Sequence, residues 1–206
     1  GITSNGSGKV NIVLYNLTQN KYWTGGDWIG VSPSTQTAAA VSGSDLTTWQ
    51  YTNVTGLESE NEYESRVWGA DELGNEEANT YPGVMKYSFY CDTTPPVSQI
   101  MYPANSSTLN ILTGVTGTAN GRLSGLARVD VKISSWSGTV VGWSVVQDWV
   151  GTANCTSSTG NITVQWTYTL GGGVLQDGTT YQIVSRSSDT AGNTEIVLST
   201  SVFFYD

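Results

Sequence analysis

LESENEYESRVWGADELGNEE, residues 57–77, and LQDGTTYQIVSRSSDTAGNTE, residues 175–195, align without a gap at a constant offset of 118. Leu57 and Leu175, Tyr63 and Tyr181, Asp71 and Asp189, Gly74 and Gly192, Asn75 and Asn193, and Glu77 and Glu195 coincide. Outward from this stretch the match continues with small changes of offset. TTWQYT (47–52) faces VQWTYT (164–169), KVNIVLYN (9–16) faces RVDVKISS (128–135), and YSFYCD (87–92) faces SVFFYD (201–206). A duplicated module of roughly 110 residues accounts for all four matches.

Inside each copy apolar residues recur with a period of two. Val10, Ile12 and Leu14, then Met85, Tyr87 and Phe89, then Val129, Val131 and Ile133 each alternate with other residues, the pattern of strands that turn one face to a core. Gly, Ser, Thr and Asn punctuate these runs. No segment carries the i, i+3, i+4, i+7 spacing of an amphipathic helix, so the chain is expected to be all-β. The shared Leu-x5-Tyr pattern places Tyr63 and Tyr181 at strand starts, where a tyrosine corner caps backbone upstream with its hydroxyl.

Composition excludes several functions. The formal charge is −9 and the eight basic residues are scattered, so the attraction that holds a phosphate backbone is missing and nucleic acid is not an expected partner. No apolar run is long enough to span a bilayer, so no membrane insertion is expected. The first residues, GITSNGSGKV, do not form a signal peptide, which suits a mature or internal segment. Histidine is absent, which removes the commonest general base and metal ligand; the chain is not expected to be an enzyme. Cys91 and Cys155 are too few for a disulfide framework, and their state is left open.

LQDGTTY, DTAGNTE, the DTTPP stretch at Asp92 to Pro96 and the YWTGGDW hairpin at Tyr22 to Trp28 together resemble the bacterial Ig-like tandem repeats of large extracellular and surface proteins. The resemblance implies two tandem immunoglobulin-like β-sandwich domains, residues 1–94 and 95–206, joined stiffly because Pro95 and Pro96 fix their own φ and restrict the residues before them. It implies rods that serve as spacers, adhesins or fibre subunits outside the cell. One departure stands out. Residues 97–125 read as the first two strands of the second domain, and the first domain shows no equivalent before GSGKV. Three explanations stay open: a window on a longer repeating polypeptide, strands supplied by another subunit through donor-strand complementation, or a smaller first domain.

Among candidate sites, Glu58, Glu60, Glu62 and Glu64 alternate and would share a face in a strand; a solvated, pairing-averse edge is favoured over a glycosidase pair. Asp92, Asp189, Asn193 and Glu195 form the candidate Ca²⁺ set, oxygen ligands of the right kind, although Asp-x-x-Gly-Asn also serves as plain turn chemistry. Trp23 and Trp28 flank a Gly-Gly turn and are the expected exposed platforms for a surface glycan, whereas Trp49 and Trp166 read as core. Asn5, Asn16, Asn53, Asn105, Asn154 and Asn161 head glycosylation sequons. Lys9, Lys86 and Lys132 fall on polar strand phases, so no isopeptide bond is expected.

The leading reading is a structural subunit or repeat segment of an extracellular filament or surface fibre. Its partners are copies of itself, with no cofactor. The alternative is a carbohydrate-binding adhesin or phage-fibre module acting through Trp23 and Trp28.

Overall fold

The computed structural model describes residues 8–30, 33, 35–40, 48–71, 73–77, 85–136, 142–151, 154–155 and 162–206, with backbone alone at 37–40, 150–151 and 154–155. The alternating runs all become strands, and no helix occurs among the described residues. The chain divides into two compact units, Gly1–Asp92 and Thr93–Asp206.

The first unit contains β1 (Lys9–Asn16), β2 (Lys21–Trp23), β3 (Trp28–Ile29), β4 (Gln36–Ala40), β5 (Trp49–Gln50), β6 (Asn61–Ala70) and β7 (Met85–Cys91). β1 is central: β6 pairs with its whole length on one side, while β4 and β2 share the other, and β7 continues the sheet beyond β6. Ile12, Leu14 and Trp23 are its buried centre, with Trp28, Tyr51, Val54 and Val67 packed around them. Asn11 and Val13 are buried as well, so β1 is covered on both faces where alternation suggested one.

The second unit contains β8 (Val97–Tyr102), β9 (Ser107–Leu109), β10 (Gly114–Asn120), β11 (Leu126–Trp136), β12 (Trp143–Gly151), β13 (Asn154–Cys155), β14 (Thr163–Thr169), β15 (Thr179–Asp189) and β16 (Ser199–Tyr205). They form a four-stranded sheet in the order β13-β14-β10-β8 and a five-stranded sheet in the order β12-β11-β15-β16-β9. Among the described residues only β9 against β16 is parallel. Val115, Ala119 and Trp166 from the first sheet meet Val129, Val131, Ile133, Tyr181, Ile183 and Phe203 from the second in one buried cluster, an arrangement consistent with a β-sandwich.

The sequence repeat is reproduced in strand pairing, residue by residue. Lys9↔Ala70 through Asn16↔Tyr63 correspond to Arg128↔Ser188 through Ser135↔Tyr181. Asn61↔Cys91 through Val67↔Met85 correspond to Thr179↔Tyr205 through Ser185↔Ser199. Register is set by which face is buried, because a slip of one residue would turn every inward side chain outward. Thus β1, β6 and β7 are the counterparts of β11, β15 and β16.

The corner tyrosines behave alike. The Tyr63 hydroxyl accepts the Glu58 N–H at 2.8 Å and the Tyr181 hydroxyl accepts the Gln176 N–H at 2.7 Å, each five residues upstream. Both rings stack on the next strand, Tyr63 on Phe89 at 5.5 Å and Tyr181 on Phe203 at 5.7 Å. Removing the hydroxyl orphans a backbone donor, so Tyr181→Phe is expected to destabilise the second unit by about 1–2 kcal/mol. A denaturant midpoint left unchanged by that substitution would contradict the capping role.

The turn after the long strand is duplicated too. Asp71 Oδ1 accepts the Asn75 N–H at 2.8 Å, and Asp189 Oδ1 accepts that of Asn193 at 2.8 Å; each Asn amide also donates to the other carboxylate oxygen. Gly74 and Gly192 sit at φ of 82° and 94°, a conformation that favours glycine. The bonds from the Asn75 side chain and backbone hold the Asp71 carboxyl below its usual range.

Candidate functional site

The two units differ in what lies over the shared three-stranded face. In the second unit β8 and β10 cross it. The Glu195 carboxylate, 6% exposed, accepts the Ser98 N–H at 2.7 Å and the Ser98 hydroxyl at 2.7 Å from β8, and the N–H and hydroxyl of Ser187 from β15. Ser98 also meets Ser185 at 2.8 Å, and the Ile100 N–H donates to the Ser199 hydroxyl at 3.0 Å. Beyond β8, the chain runs to β9, which pairs with the outer edge of β16. The Ser201 hydroxyl donates to the Pro103 carbonyl beneath that crossing.

In the first unit no strand among the described residues crosses the same positions. Glu77 keeps the local bonds of Glu195, accepting the Gly69 N–H at 2.7 Å and donating its own N–H to the Gly69 carbonyl. It is nevertheless exposed. Tyr87 is 57% exposed where Ser201 is 2%, and Phe89 is 40% exposed where Phe203 is 1%. Met85 is also exposed, so the alternation that marked Met85, Tyr87 and Phe89 as core-facing identified the face correctly but not its cover. Among the described residues β7 pairs with β6 alone. Val10, Ile12, Trp49, Ser65, Val67, Trp68, Gly69, Glu77, Met85 and Tyr87 line a groove of about 410 Å³.

These positions are the counterparts of the ones that β8 covers. Val67 answers to Ser185, Gly69 to Ser187, Glu77 to Glu195, Met85 to Ser199 and Tyr87 to Ser201. The groove is therefore mainly apolar, with the Glu77 carboxylate and the Ser65 hydroxyl in its lining. Apolar side chains left at such a place cost free energy in water in proportion to their area. Strand register, not the sequence, identifies which side chains these are.

Several expected sites are corrected. Trp23 is 1% exposed, not a surface platform: its indole N–H donates to the Tyr51 hydroxyl at 2.9 Å and its ring lies in the core of the first unit. Trp28 is half-buried, donating to the Thr55 carbonyl at 2.9 Å and packing on Trp23 and Tyr63. Trp49 and Trp166, expected to be equivalent core residues, part company at 36% and 0% exposure. Trp166 lies over Gly117 of β10, where a Cβ would come within 2.4 Å of the ring, and donates to the Thr118 carbonyl. No strand among the described residues lies over Trp49 in this way.

Glu58 and Glu60 precede β6, with Glu60 at a φ of 65°, so only Glu62 and Glu64 share the strand, and Glu64 pairs with Arg66. Of the candidate cation ligands, both Asp189 oxygens already accept bonds from Asn193, and Glu195 is taken up by Ser98 and Ser187. Asp92 closes the first unit, whereas Asp189 and Asn193 belong to the second. No group of three or more His, Cys, Asp and Glu converges as metal ligands among the described residues.

Asn16 is 2% exposed, with its Oδ1 accepting the Gln19 N–H. Asn53 and Asn105 are exposed. Asn5, Asn161 and the side chains of Asn154 and Cys155 lie outside the described residues. The Cys91 thiol is free. Comparison with family models and with curated proteins finds no match.

Proposed function

We propose that the chain is a structural segment of an extracellular filament or surface fibre, built from Ig-like modules and assembling through strands exchanged between neighbouring repeats or subunits. The observation that supports it is the groove of the first unit, open over the residues that β8 covers in the second. An open sheet edge beside exposed Met85, Tyr87 and Phe89 favours pairing with another chain over remaining free. No enzymatic activity is proposed: the groove lining sets the Glu77 carboxylate and the Ser65 hydroxyl among apolar side chains, and that hydroxyl donates to the Tyr87 carbonyl.

The glycan-binding alternative through Trp23 and Trp28 loses its first platform to the core. Negative-stain micrographs of material taken from its native source are expected to show long uniform filaments. Discrete single particles at every concentration examined would overturn the fibre reading.

A further inference from the structure

Resting on that reading of the groove, we infer that the first unit receives an extended strand from another polypeptide chain, with Thr or Ser facing Glu77 and an aliphatic residue two positions further on. The second unit supplies the template. On β8, Ser98 gives both its N–H and its hydroxyl to Glu195, while Ile100 packs against the core. Inward-facing residues on a strand are spaced by two, so one hydroxyl and one aliphatic side chain enter together.

The first unit keeps the acceptor and changes its surroundings. A carboxylate accepts only, so Glu77 calls for a strand that presents donors. Val67 stands where Ser185 donates to the Ser98 hydroxyl oxygen, which removes one polar partner and puts a methyl surface there. Threonine suits both neighbours, its hydroxyl on Glu77 and its methyl on Val67. Met85 and Tyr87 replace Ser199 and Ser201 while Ser65 replaces Ile183, so the apolar contact for the aliphatic position comes from β7. An acidic side chain facing Glu77 is excluded by like-charge repulsion in a partly desolvated groove.

The test is a titration of the full chain into a fluorescein-labelled peptide of residues 95–110, read by anisotropy. Saturable one-to-one binding is expected, tighter for the peptide carrying Ser98→Thr and at least about tenfold weaker for the one carrying Ser98→Asp. The chain variant Glu77→Lys should restore binding of the Ser98→Asp peptide. Because Glu77 is exposed, that variant folds as the parent does, checked by circular dichroism.

Absence of saturable binding overturns the inference, as does equal binding of the Ser98→Asp peptide to both chain forms. Self-association of the chain that the peptide does not displace also overturns it, since the contact between copies would then lie outside the groove. The fibre reading fails separately: filaments without peptide binding leave it standing, and peptide binding without filaments overturns it alone.

Discussion

Trp166→Ala is expected to remove about 3–5 kcal/mol from the second unit, while Trp49→Ala, at the matching position of the repeat, costs the first unit less than about 1 kcal/mol. The residue type and sequence context are the same in both; the difference lies in what crosses the ring. Trp166 is fully buried between the sheets, with its N–H satisfied by the Thr118 carbonyl and its face against Gly117. Truncation there leaves a cavity that the close approach of β10 cannot refill. Trp49 already has more than a third of its surface in water. Hydrogen exchange of β10 and β14 against β1 and β6 reports the two units separately, and equal losses of protection would contradict the proposed difference.

Glu195→Ala is expected to be the second large loss, about 3 kcal/mol or more, with Glu77→Ala near zero in the unassembled chain. Removing Glu195 strands the N–H groups of Ser98 and Ser187, which its carboxylate now accepts inside the unit. The Ser98 bonds also fasten β8 to the opposite sheet, so the damage is expected to spread as early exchange of the amides of residues 97–102. Glu77 accepts the Gly69 N–H from an exposed position, where water replaces it. Once the groove is filled the two substitutions should converge, because Glu77 then becomes the anchor that Glu195 already is. A Glu77→Ala chain that assembled as the parent does would count against that convergence.

The contrast between these pairs also shows what the amino-acid sequence carries and what it does not. Strands, their inward faces, the corner tyrosines and the Asp–Asn turn all follow from spacings of two to five residues, and each was legible before the fold was seen. Burial was not legible at the same positions. Whether an indole is core or surface depends on a strand nearly fifty residues away, as with Thr118 above Trp166. Trp23 looked exposed beside its Gly-Gly turn, yet the hairpin folds its ring under Tyr51. Glu195 looked like a cation ligand because its partner Ser98 lies 97 residues upstream.

The open face of the first unit is the central claim, and hydrogen–deuterium exchange of β7 against β16 in the unassembled chain tests it most directly. The two strands occupy the same place in the repeat and pair in the same register with β6 and β15. Amides of residues 85–91 are expected to exchange far faster than those of residues 199–205, whose strand is paired on its outer edge by β9 and crossed by the segment that follows β8. Adding the strand peptide should slow the former and leave the latter unchanged. Equal protection of the two strands in the unassembled chain would show that the first unit is already closed, and would contradict the account.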